Sequence, residues 1–254
     1  MTTFVEYLVG IAPGFSLVVV AIAMIPARHI GIRVVVAIMG FLFVRDAMTT
    51  SGLWEFGATA NGAAWLRFGA EPIAYWLLAA MSAATIVLLL WGFGAQARRR
   101  LVWQGEHLGR SLLLGVLGAV VVVTPFALLR RGTPNEQRGG AVALSALPAL
   151  LAMALVGNAL EELLFRGYLY DALVSDGGVE TARRAELRAA LATGVLFAAG
   201  HLHLAMIVTD VGLPLIVFVL VEGLVCGLVR LRAGIVGSTL THGLAIFVLA
   251  SGLL

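Results

Sequence analysis

The sequence has no lysine, one cysteine and few charges of either sign. Its 17 basic residues are all arginine, its acidic residues number 14, and charged residues make up 12% of 254 positions. A soluble domain carries about a quarter charged residues, so this scarcity, with 61% hydrophobic residues and a mean hydropathy of +1.01, excludes one and points to a polytopic membrane protein. The missing lysine reads as a codon effect of a GC-rich bacterial genome and carries no functional information. The basic balance requires no nucleic-acid partner, because arginine clusters beside membrane spans orient such proteins. One cysteine excludes an intrachain disulfide, and Cys226, in an apolar segment, reads as a small buried hydrophobe. The opening MTTFVEYLVG lacks a positive n-region and the run to Ile25 lacks a small-x-small cleavage site. Residues 4–25 therefore read as a first span and not as a signal peptide.

Apolar runs of spanning length recur near residues 4–25, 30–50, 72–95, 109–129, 141–170, 188–209, 212–229 and 233–254. They predict an all-α membrane protein of about eight transmembrane helices, with any active site buried in the bundle. In the second run Arg45 and Asp46 follow only about a dozen apolar residues where a span needs roughly 17–25, so it could continue through Trp54 or end early. With Arg166 set aside as lying within a span, eleven arginines fall in one set of alternate connections and five (Arg45, Arg67, Arg130, Arg131, Arg138) in the other. The richer side is expected to be cytoplasmic, with both termini outside, and each arginine run is expected to be a solvated flank. The longest connection, 46–71, carries Trp54 and Trp65 among small residues and reads as an interfacial loop with aromatic anchors. Gly10/Gly14 and Gly223/Gly227 are small-xxx-small pairs suited to close helix contact.

Ionisable groups inside spans cost about 3 kcal/mol each on insertion scales, which makes each one a functional candidate. Here they are Glu161, Glu162, Arg166, His201, His203, Glu222 and His242. Glu162 and Arg166 lie four apart, the spacing and direction of an intrahelical ion pair. Glu161 points about 100° away from Glu162, which leaves one carboxylate free to face a cavity or another helix. Alternatively, all three charges could form one ion network that only fixes packing. Counted from the inferred cytoplasmic ends at 1.5 Å per residue, Glu161, His201 and His242 lie roughly 14, 20 and 14 Å deep and can meet in one layer. His203 faces about 200° away from His201 and reads as a packing or interfacial residue. Glu222 could pair with an arginine or line the cavity. A carboxylate with imidazoles in a low-dielectric cavity suits water activation, because a desolvated carboxylate is a stronger base near neutral pH. Two histidines with one or two glutamates also suit zinc, although the HExxH helix is absent. Either way the chemistry points to hydrolysis.

EELLFR fits EExxxR and FAAGH fits FxxxH. In this order and at this distance they resemble the first two motifs of the CAAX prenyl protease and bacteriocin-processing (CPBP, also called Abi) family of intramembrane endopeptidases. The segment GLVRLRAGIVGSTLTH, leading into a last-span histidine, and the eight-span layout also look like that family. The resemblance covers about residues 141–250 as the motif-bearing core. Residues 1–140 match only in general topology, and the two parts form a single integral-membrane domain.

The resemblance implies a glutamic-type peptidase of a bacterial inner membrane. Glu161 would be the general base, and His201 would help hold and polarise water. His242 would contribute to the oxyanion site, with Glu162, Arg166 and Phe197 in support. No cofactor is implied, with zinc as the alternative. The implied partners are the lipid bilayer and a membrane-anchored peptide or protein: a prenylated C-terminus, a leader peptide or a C-terminal sorting tail. One departure stands out. The family's last motif reads HxxxN, and four after His242 this chain has Ile246. The missing donor would have to be replaced by His242 alone, Ser238, Thr239, Thr241 or Asn158, or the chain would be a degenerate membrane protein such as an immunity factor or transporter.

Overall fold

In the computed structural model, residues 2–69, 71–175, 181–209 and 211–253 are described; the last residue of the eighth expected span lies outside them. Two helices come first, α1 (Thr2–Met24) and α2 (Ile30–Thr50), and are followed by a hairpin of β1 (Trp54–Ala58) and β2 (Ala64–Phe68). Next are α3 (Pro72–Gly92), the short α4 (Gly94–Arg100), α5 (Leu108–Leu129) and α6 (Leu147–Glu162). A π-helical turn, Leu163–Leu169, joins α6 to α7 (Tyr170–Ser175), and α8 (Ala182–Ala199) is followed by a second π turn, Leu204–Val208. The last helix is α9 (Leu213–Ser251). Among the described residues six helical units are long and apolar enough to cross a membrane, so the chain is an all-α polytopic membrane protein. α2 is not among the six, and its Arg33, Arg45 and Asp46 explain why. α9 contains two of the expected spans, because Gly234 (φ +66°) breaks its helical geometry.

The break at Gly234 is made by the backbone. A non-helical residue deprives the following N–H groups of their i−4 acceptors. Here Ile235 and Val236 donate instead to the Val102 and Trp103 carbonyls, at 3.0 and 2.8 Å. Exposed aliphatic residues such as Val9, Leu17, Val87, Leu113 and Val121 lie on α1, α3 and α5, where a bilayer would cover them. α9 packs against α5, α6 and α8 and forms the centre of the bundle.

The connection 46–71 differs from the expected loop. α2 continues to Thr50, and Trp54–Ala58 pairs with Ala64–Phe68 as an antiparallel hairpin with Trp54 opposite Phe68; residue 70 lies outside the described residues. Trp54 is buried against Phe56 and Phe68 instead of anchoring at an interface. The hairpin docks on the end of α9 through two buried arginines. Arg67 donates to the Gly140, Leu66 and Leu249 carbonyls, and Arg130 to the Ala64 and Leu249 carbonyls. Burial and the neighbouring Arg138 charge push Arg67 down to about 10. Burial, Arg138 and Arg67 do the same to Arg130. Both stay charged at neutral pH. Arg45, Arg67, Arg130 and Arg138 are all buried, which corrects the expectation that each arginine flank is solvated.

Candidate active site

α6 carries Glu161 and Glu162 in its last turn and then widens into a π turn, a helix distortion common at functional sites. The expected ion pair forms inside this widened segment. Arg166 Nη1 donates to Glu162 Oε1 at 3.0 Å, and Arg166 Nη2 donates to the Gly223 carbonyl at 2.8 Å. The guanidinium is fully buried and lies 4.6 Å from the centre of the Phe197 ring. The same Oε1 of Glu162 meets His242 Nδ1 at 3.0 Å.

Glu161 is less isolated than its helical angle suggests. Its Oε2 lies 3.4 Å from His242 Nε2 and its Oε1 lies 3.8 Å from Arg45 Nη1. That Oε1 is buried and has no hydrogen-bond partner. The two glutamates thus address opposite nitrogens of one imidazole, and Glu222 adds a third carboxylate 3.6 Å from Nε2. Three carboxyl groups thus surround one imidazole ring. Phe197 packs edge-on against His242, with centroids 5.4 Å apart, and contacts the His201 ring.

His201 lies just beyond the end of α8. Its Nδ1 is 2.8 Å from the Phe197 carbonyl and its Nε2 is 2.8 Å from Arg45 Nη1. A carbonyl only accepts and a guanidinium only donates. Nδ1 therefore carries the ring proton and Nε2 accepts from arginine, so both ring nitrogens are engaged. Arg45 also donates through Nε and Nη2 to Asp46 Oδ1, at 2.9 and 2.6 Å, and through Nη2 to the Gly200 carbonyl at 3.0 Å. Asp46 Oδ2 in turn meets His203 Nδ1 at 2.9 Å. His203 is otherwise exposed, as its helical angle implies.

Arg45 and Asp46 are the site residues that sequence reasoning missed. Two charges inside an apolar run are themselves the signal that points to them. Of the proposed substitutes for the missing amide, Asn158 lines the same cavity as Glu161, His201 and His242. Ser238 and Thr241 donate to the Ile235 carbonyl and to the Gly115 and Gly237 carbonyls, and Thr239 faces a different pocket. Glu222 and Ile246 also line the cavity, which measures about 420 Å³ and extends to the hairpin and Arg130.

Among the described residues no three His, Cys, Asp or Glu side chains group as ligands. The Arg45 cation is held at 2.8 Å against the Nε2 lone pair of His201, which a ligand would need to offer to a metal.

Residues 143–248 match the sequence model of the family described as type II CAAX prenyl endopeptidase Rce1-like. This segment belongs to the Rce1-like family. No curated protein and no solved structure matches the chain. The Rce1-like segment contains both glutamates, Arg166, Phe197, both site histidines and Glu222, but neither Arg45 nor the hairpin. It makes the protein a protease of the CAAX type in general, set in a multi-pass membrane protein.

Proposed function

We propose that the chain is a glutamic-type intramembrane endopeptidase that cleaves a membrane-anchored peptide or protein near its anchored or C-terminal end. Glu161 is the general base, and His201 and His242 complete the site. The observation that carries this reading is the buried, unpartnered Oε1 of Glu161 on the wall of a largely apolar cavity, beside His242 and Arg45. Such an acceptor can take a proton from water. In this reading water attacks the scissile carbonyl carbon, forming a C–O bond. Its proton passes to Glu161 while the carbonyl π pair moves onto oxygen. Collapse returns that pair and breaks the C–N bond, and the proton on Glu161 goes to the departing nitrogen. His242 orients the Glu161 carboxylate, its Nε2 lying 3.4 Å from Oε2. Glu162 and Arg166 hold His242 in place. The apolar walls suit an apolar peptide tail or its lipid anchor.

Reconstituted protein should cleave a membrane-anchored peptide without added metal and in the presence of a chelator. Glu161→Ala should lose at least about 1000-fold in kcat, in line with the loss of a central catalytic group, while keeping its melting temperature. Full cleavage by Glu161→Ala would sink the assignment, and stoichiometric zinc required for turnover would replace it with a metallopeptidase.

A further inference from the structure

We infer that Arg45, outside the Rce1-like segment, is a catalytic residue whose Nη1 binds the carbonyl oxygen of the scissile bond and holds the oxyanion that develops there. This rests on the peptidase reading above.

A guanidinium has five N–H donors, and four of those on Arg45 are spent. Nε and one Nη2 proton go to Asp46, the other Nη2 proton goes to the Gly200 carbonyl, and one Nη1 proton goes to His201. The fifth belongs to Nη1, which lies 3.8 Å from Glu161 Oε1, and both side chains line the cavity. An unspent donor and an unpartnered acceptor thus stand side by side among apolar side chains. A reacting amide carbonyl with its attacking water presents the complement: an oxygen that needs a donor and a proton that needs an acceptor. Four hydrogen bonds fix the guanidinium before substrate arrives, which is the condition under which a donor lowers a barrier at no reorganisation cost.

The competing donors are worse placed. Both nitrogens of His242 face carboxylate oxygens. Asn158 is uncharged, and no described residue hydrogen-bonds its side chain to hold it. Ile246 offers the cavity only hydrocarbon. His201 becomes a positioning residue: its Nδ1–H is anchored on Phe197 and its Nε2 holds Arg45. Asp46, gripped by His203, acts in the same way from the other side.

The test uses the full-length protein in proteoliposomes with a membrane-anchored peptide and, as a probe of the tetrahedral state, a peptide phosphinate of the same sequence. Arg45→Gln and Arg45→Lys should lose about 100- to 1000-fold in kcat with KM changed little. Phosphinate affinity should fall by the same factor as kcat/KM. Because Arg45→Gln leaves a polar side chain in a packed site, folding is monitored by melting temperature. Ile246→Asn is then added to Arg45→Gln, and partial recovery of kcat, about tenfold, is expected. Unchanged phosphinate affinity in a folded Arg45→Gln protein would overturn the assignment, as would a loss of rate traced wholly to unfolding. So would a loss at Asn158→Ala that equals or exceeds the loss at Arg45→Gln. If the unsubstituted protein shows no Glu161-dependent cleavage, the peptidase reading itself fails, a result distinct from all of these.

Discussion

Glu162 and Arg166 show how a buried charge pair differs from a catalytic one. Both are fully buried, and each is tied to a second group, Glu162 to His242 and Arg166 to the Gly223 carbonyl. Removing one partner strands the other charge in a dry site, which costs about 3–5 kcal/mol. Glu162→Gln and Arg166→Gln should therefore lower the melting temperature and the cleavage rate together. Glu161→Ala should affect chiefly the rate, because its Oε1 has no hydrogen bond to lose and its ion contacts, at 3.4 and 3.8 Å, are longer than those of Glu162 and Arg166. Thermal unfolding in detergent, run beside the cleavage assay, separates the two classes. An Arg166→Gln protein of unaltered stability would break the distinction. This division was visible in the sequence because it depends on spacing within one helix. That both glutamates converge on His242 was not, since it depends on how α6 and α9 cross. The contact between Arg45 and His201 was hidden for the same reason: the two residues lie 156 positions apart.

At the scale of elements, the two small-xxx-small pairs separate. On α9 a Cβ at Gly223 would come within 2.7 Å of the Gly194 carbonyl on α8, and one at Gly194 would come within 2.9 Å of Gly223. These glycines let the helix carrying His242 approach the helix that leads to His201. On α1 a Cβ at Gly14 would meet the Phe43 ring at 2.6 Å, but one at Gly10 would meet nothing within 4 Å. Gly223→Val should therefore separate α8 from α9 and disturb the Gly223 carbonyl that binds Arg166, destabilising the protein by about 1–3 kcal/mol, as overpacking does, and abolishing cleavage. Gly10→Val should leave both stability and cleavage unchanged. Equal effects from the two variants, measured by thermal unfolding and turnover, would contradict the packing argument. The motif alone does not distinguish the pairs, because the sequence states which residues are small and not which helix lies opposite. The hairpin was illegible for a related reason: Trp54–Ala58 and Ala64–Phe68 acquire their order from pairing with each other and from buried arginines of β2 and the end of α5.

For the whole molecule, burial sharpens the charge asymmetry that the sequence suggested. Of the eleven arginines on the richer side, all but Arg33 and Arg230 are exposed, whereas on the other side Arg131 alone is exposed among five. Only solvated charges can report on orientation, so the effective ratio is nine to one and the hairpin end is expected to face outward. The cavity runs from Glu161 towards that same end, where Trp54, Leu66, Arg130 and Leu249 line it. Substrate would then reach Glu161 from the outer half of the bilayer. Cysteine labelling tests this cleanly, because the native Cys226 is buried. An impermeant maleimide applied to intact cells should modify Asn61→Cys at the hairpin tip. It should modify Ala182→Cys, at the start of α8, only after permeabilisation. The reverse pattern would invert the protein and make the cavity a cytoplasmic entrance, so the same experiment decides on which side of the membrane a substrate tail must be presented.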